Sequence, residues 1–244
     1  MSAPDPHPTE NADTRLPHRG EPPTAPIPLS PARRHERSVI GSHLILHGYG
    51  HWLPNDPRGS GSHELREEKL TDLGPIHHGR KRVQPPRSEL REFYRAAEPR
   101  LDFPLVWFDD AKRQALGESF ARVVASRRYT VWACAVLKNH AHLCVRRHRD
   151  DPVTIWRAFA DASASALRGA VDVSSNPLRR FAECPDDHPV WSNRPYKVFL
   201  KSTDDVRRVV AYIEQNPAKE GLAAQSWPFV TPYDGWPHAR SPAR

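Results

Sequence analysis

The sequence predicts an α+β domain: a ferredoxin-like split β-α-β antiparallel sheet with helices on one face and an extra C-terminal helix that carries a tyrosine, Tyr212. Two observations lead there. The hydrophobic periodicities run strand, helix, two strands joined by a tight turn, helix, strand, helix. In addition, residues 129–137 are almost continuously apolar, which marks a strand buried on both faces. A sheet of about four strands with helices on one side leaves its opposite face or an edge for a ligand.

Each element has a local reason. Residues 1–38 are punctuated by proline, with charges between and almost no aromatic or β-branched residues, so they read as a disordered, Pro-rich basic tail ending in Arg33-Arg34-His35-Glu36-Arg37. The domain then spans 39–237, with an insertion at about 54–105. Val39-Ile40 and 43–47 form a first, central strand. The loop 49–62 that follows is rich in Gly and Pro and carries Trp52 and Arg58. Two readings stand side by side there: stacking on bases with a phosphate on Arg58, or an ordered loop whose Trp52 plugs the core edge.

Residues 64–70 and 88–97 are short helices in a charged covering segment whose Arg80-Lys81-Arg82 run is a solvated face. Asp109-Asp110 caps a helix to about 127. Lys138-Asn139 turns the strand 129–137 back into the strand 140–147. Asp151-Pro152 opens a helix to about 167, a cap followed by proline at the first position. Residues 190–200 read as a strand interrupted by a turn. Residues 203–205 cap the last helix, Pro217 stops it, and an aromatic tail, 227–236, packs back on the domain.

Composition bounds the partners. A net charge of +7 and a pI near 9.6 favour a polyanion, nucleic acid before an acidic membrane surface, with plain solubility as the bland alternative. Three cysteines, Cys134, Cys144 and Cys184, form no C-x-x-C pair, which speaks against a disulfide framework or a zinc knuckle and for a reducing, cytoplasmic setting. No apolar run is long enough for a membrane span, so no membrane partner is expected.

Chemistry concentrates in two places. His140 and His142 are two apart on a strand, so both imidazoles leave one face, and neutral imidazole suits borderline metals. Tyr212 and Asn216 are four apart on a helix, so one turn places an amide oxygen and a phenol side by side; Gln215, about 100° round, is the weaker ligand. The bland alternative makes the histidines core residues, Tyr212 part of the apolar stripe and Asn216 a helix-end residue before Pro217.

The stretch Asn139-His140-Ala141-His142-Leu143, with Tyr212-Ile213-Glu214-Gln215-Asn216-Pro217-Ala218-Lys219-Glu220-Gly221-Leu222 downstream, resembles the single-tyrosine HUH transposases, in particular the REP-associated tyrosine transposase branch. Trp191 ahead of Arg194 and Tyr196 matches that branch's tryptophan-led strand. Lys138 stands where the family usually has proline, Ala141 is small, and the insertion is longer than a minimal member needs.

The resemblance implies a divalent metal ion, Mg2+ or Mn2+, held by His140, His142 and Asn216, and Tyr212 as the nucleophile. It implies cleavage and rejoining of single-stranded DNA near hairpin or repeat sequences through a 5′-phosphotyrosine. Arg58, Lys138, Arg146, Arg147, Arg194 and Lys197 are the candidate DNA-binding residues. Two alternatives remain open: a domesticated, non-catalytic hairpin-DNA-binding protein, and a hydrolase that uses water and not Tyr212. The tyrosine helix could serve its own histidines or those of a second copy, so a homodimer is also open.

Overall fold

Strand β1 (Gly41–His47) pairs on one side with β3 (His140–Arg146) and on the other with β4 (Tyr196–Leu200), while β2 (Val131–Val136) lies outside β3. The order is therefore β2-β3-β1-β4, with every neighbouring pair antiparallel. This computed structural model describes residues 39–65, 67–168, 188–193 and 195–237. The expected tail at 1–38, Cys184 and Arg194 lie outside the described residues.

The helices are α1 (Arg87–Ala97), α2 (Asp110–Arg127), α3 (Pro152–Arg168) and α4 (Thr203–Lys219). Their starts follow the sequence. Asp109 accepts from the Lys112 amide at 2.9 Å, and Asp151 accepts from the Val153 and Thr154 amides at 2.8 and 3.1 Å. On α4 the cap sits at Ser202, in a reciprocal box with Asp205, just ahead of the expected 203–205.

Strand parity then divides the core. Leu44 and Leu46 of β1 and Ala141, Leu143 and Val145 of β3 meet Leu116, Phe120, Ile155 and Phe159 of α2 and α3. Burying each large side chain of this set stabilises by roughly 1.5–3 kcal/mol. On the other face, Val206 and Ile213 of α4 pack with Trp132, Ala133, Ala135, Leu137 and Cys144. The face left over by α2 and α3 is thus partly roofed by the last helix.

Three boundaries differ from the sequence reading. The first short helix is a 3-10 segment, Glu68–Leu73, displaced toward the two leucines that bury or pack, Leu70 and Leu73. The strand expected over 190–200 is broken: Trp191 makes an isolated bridge to Gly48, and β4 begins only after Pro195, which has no N–H for the ladder. Helix α4 does not stop at Pro217 but runs through it to Lys219. A proline costs one bond to the preceding turn, and α4 ends where Gly221 takes φ +70. There the Leu222 amide bonds the Pro217 carbonyl at 2.8 Å and the Gly221 amide bonds Ala218 at 3.1 Å, a Schellman closure.

The insertion has a small core of its own, in which Leu53 and Leu70 meet Phe93 and Ala97 of α1. The aromatic tail packs back as expected and covers the outer edge of β2. Val230 bridges Val131, and the Gln225 amide imitates a strand backbone by accepting from the Val136 N–H at 2.8 Å and donating to its carbonyl at 2.7 Å. The tail is anchored where Trp227 lies directly against Gly117 of α2, in space a Cβ would need. Gly117→Ala should therefore force the indole out and lower stability by about 1–3 kcal/mol despite the better helix propensity of alanine, read as a fall in the urea midpoint. An unchanged or raised midpoint would show that the tail is not seated there.

Candidate active site

The register of β1 against β3 sets His47 opposite His140, Ile45 opposite His142 and His43 opposite Cys144. Because side chains alternate along a strand, His43, His47, His140 and His142 all leave the sheet on the side that α4 overlies. Their rings form one cluster: His140 and His142 have centroids 4.8 Å apart, His47 and His140 6.1 Å, and His43 Nε2 is 2.9 Å from His142 Nδ1.

Tyr212 descends from α4 onto this cluster. Its ring meets His142 edge-to-face at 5.6 Å and His43 at 6.1 Å, while 44% of the residue stays exposed. Within this chain Tyr212 thus meets one of the two predicted histidines, His142, directly. Asn216, one turn further along α4, is buried, and its Nδ2 has no hydrogen-bond partner; His142 Nε2 is likewise buried and unpartnered. Gln215 is exposed.

Buried polar atoms are rarely left unpaired, and doing so costs about 1–3 kcal/mol each. A neutral imidazole nitrogen and an amide oxygen are both ligand types suited to a divalent cation, and the oxygen and nitrogen of Asn216 exchange on a flip of the group. Among the described residues no three His, Cys, Asp or Glu side chains are gathered as a metal-ligand set.

Behind His140 runs a chain of polar contacts. His140 Nδ1 is 2.8 Å from Asn139 Oδ1, Asn139 Nδ2 is 3.3 Å from His51 Nδ1, and His51 Nε2 is 2.9 Å from the Val106 carbonyl. On the far side of the cluster stands Trp52, 4.7 Å from His47 and edge-on to His140 at 5.6 Å. Trp52 has a left-handed backbone, φ +55, which costs a non-glycine residue on the order of 1–3 kcal/mol. What holds it is an ion pair with a buried carboxylate. Arg58 lies 3.9 Å over the indole and grips Asp56 through Nε at 2.9 Å and Nη2 at 2.7 Å, while Tyr94 of α1 donates to Asp56 and accepts from the Trp52 amide at 2.9 Å. Trp52 thus stands in an ordered loop beside the histidines.

Five of the six candidate DNA-binding residues are described, and they sit at separate places on the domain. Arg58 is committed to Asp56. Lys138 donates from Nζ to the Glu220 carbonyl at 3.0 Å, tying the β2–β3 turn to the end of α4. Arg146 sits over Trp236 at 3.9 Å, six residues along β3 from His140, or about 20 Å. Its neighbour Arg147 is exposed at that same end of the strand. Lys197 lies across from Leu44, so it leaves the sheet on the face opposite the histidines. Arg194 is outside the described residues.

The side chains that sequence reasoning missed are His43, His47, His51, Asp56 and Tyr94. The two strand histidines had a signal: 43 and 47 share parity on β1, as 140 and 142 do on β3. The others depend on how the loop and insertion fold.

Burial dominates the electrostatics. It pulls His43, His47 and His51 down to about 4 and His140 to about 3, with the Arg58 charge or neighbouring imidazoles adding to the effect on His47, His51 and His140. His142 is held well below its ordinary value by the same burial and by its histidine neighbours. The cluster is therefore a set of neutral nitrogen bases at pH 7.

No protein-family model and no curated protein matches this sequence. Among solved structures, the chain is similar to that of a REP-associated tyrosine transposase bound to a REP hairpin, at 16% identity and a TM-score of 0.37, over 78% of this chain and 74% of that one. A likeness at that level is too slight to carry an argument.

Two measurements check the site's physics. In the unfolded chain these histidines bind protons near pH 6.5, whereas the folded chain refuses them until about pH 4. Their contribution to stability is complete above 6.5 and is lost as pH falls toward 4, by about 1.4 kcal/mol per pH unit for each histidine. Urea midpoints between pH 7.5 and 5.0 should fall steeply, and a flat profile would mean the imidazoles are not buried. Separately, Arg58→Ala leaves the buried Asp56 carboxylate with the Tyr94 hydroxyl but without its counter-charge, and should cost on the order of 3 kcal/mol in the same assay. Unchanged stability with weakened DNA binding would restore Arg58 as a phosphate contact.

Proposed function

We propose that this chain is a metal-dependent tyrosine transposase and endonuclease of single-stranded DNA, built on a ferredoxin-like sheet, that cleaves and rejoins strands near hairpin or repeat sequences. The observation that carries the reading is the meeting of Tyr212 with His142 and His43 inside one chain, from an exposed position on α4. The resemblance of the Asn139–Leu143 and Tyr212–Leu222 stretches to REP-associated tyrosine transposases supports the same assignment. The basic charge of the chain suits a polyanionic substrate.

The chemistry follows from the residues. His140, His142 and Asn216 would hold a divalent ion, Mg2+ or Mn2+, which supplies Lewis-acid polarisation of the scissile phosphate. The Tyr212 oxygen attacks phosphorus, a P–O bond to tyrosine forms, and the bond to the 3′ oxygen breaks; the phenol proton is lost and the 3′ oxygen leaves protonated as a hydroxyl. Bond energy is conserved in the 5′-phosphotyrosine, so rejoining to a 3′-hydroxyl needs no nucleotide cofactor. The neutral histidines and the edge-on packing of Tyr212 keep the nucleophile and the ligands in one geometry.

Labelled single-stranded hairpin oligonucleotides drawn from repeats flanking the gene, incubated with Mn2+ and run on denaturing gels, provide the test. A covalent protein–DNA band should form with the wild-type chain, vanish in Tyr212→Phe, and fall at least tenfold in His142→Ala. Cleavage that survives Tyr212→Phe would sink the tyrosine mechanism in favour of a hydrolase, and binding with no cleavage would favour a non-catalytic hairpin reader.

A further inference from the structure

We propose that Asn139 and His51 act as positioning residues that fix His140 with its proton on Nδ1 and a bare lone pair on Nε2, the form in which a histidine can bind a cation. The inference rests on the metal reading above only for its purpose, since the hydrogen-bond pattern stands without it. The assignment begins at the Val106 carbonyl, which can only accept. His51 Nε2, 2.9 Å away, must therefore carry a proton. His51 is buried, so its imidazole stays neutral and carries that one proton alone. Its Nδ1 is therefore bare and accepts from Asn139 Nδ2 at 3.3 Å.

That contact fixes which way the Asn139 amide points, because the flipped amide would set an oxygen against a bare nitrogen. Asn139 Oδ1 is then left facing His140 Nδ1 at 2.8 Å, and the hydrogen between them must belong to the imidazole. A neutral imidazole has one proton, so Nε2 has none.

The relay is held at both ends. The Asn139 carbonyl accepts from the Gly48 amide at 2.8 Å, and the Val106 amide donates to the Tyr49 carbonyl at 3.3 Å, so the loop carrying His51 is pinned to the β2–β3 turn and to the segment before α2. Outer partners of this kind typically change metal affinity by 10–100-fold when removed. His142 has no such anchor, since its Nδ1 meets only another imidazole nitrogen, and the direction of the His43–His142 bond is not fixed by any carbonyl.

The test uses the full chain without metal. Long-range 1H–15N spectra of its histidines at pH 7.5 report each tautomer directly, and EPR of free Mn2+ reports the dissociation constant. In the wild type His140 should show the Nδ1–H signature. Asn139→Ala should lose it and bind Mn2+ 10–100-fold more weakly. Asn139→Asp, which keeps an oxygen for the His140 proton, should retain the signature and stay within a few-fold of wild type, and His51→Phe should lose part of both. An Nε2–H signature in the wild type, or one unmoved in both Asn139→Ala and His51→Phe, overturns the relay. A wild type that shows the Nδ1–H form yet binds Mn2+ no better than a His140→Ala, His142→Ala double variant supports the relay and overturns the metal site of the proposed function.

Discussion

Antiparallel pairing of β1 with β3 places His47 against His140 and lets His43 reach His142, and the site depends on that register above all else. Strand side chains alternate with a period of two, so a slip of one residue would turn the slipped strand's histidines into the α2/α3 core and its core leucines out. What forbids the slip is the core itself. Leu44, Leu46 and Leu143 are fully buried on the opposite face, and leaving them exposed would cost several kcal/mol together. The chain thus uses one hydrophobic alternation twice, to close the core and to aim the imidazoles.

That arrangement carries a cost. Buried imidazoles give up solvation, and the His142 and Asn216 nitrogens end without partners. Such groups are tolerated where the surroundings over-determine them. Here the wall of Trp52, Arg58, Asp56 and Tyr94 supplies the constraint on one side, and the Asn139–His51 contacts supply it on another. The insertion contributes Tyr94 through α1, so a segment that looks peripheral in the sequence reaches within two side chains of the histidines.

Most of the architecture was legible because it rests on local signals: alternating strands, capped helices and the Lys138-Asn139 turn. The convergence of His140, His142 and Tyr212 was legible because each lies on a regular element whose periodicity fixes its direction. Where the reading failed, non-local packing decided. Pro217 does not end α4, because the glycine four residues later offers a better closure. Arg58 is held by Asp56, two residues away and wholly buried, and both meet the Tyr94 hydroxyl from another element. Strand parity sets Lys197 on the face opposite the histidines, while its neighbours Tyr196 and Val198 share theirs.

The Gln225 amide on Val136 has a consequence for assembly. A sheet can template endless edge-to-edge growth only if both of its outer strands are open. The tail closes the β2 side with Gln225 and Val230, while among the described residues no strand pairs with the outer side of β4. Strand pairing between chains through the β4 side alone would therefore stop at a two-fold closed pair and not propagate into a filament.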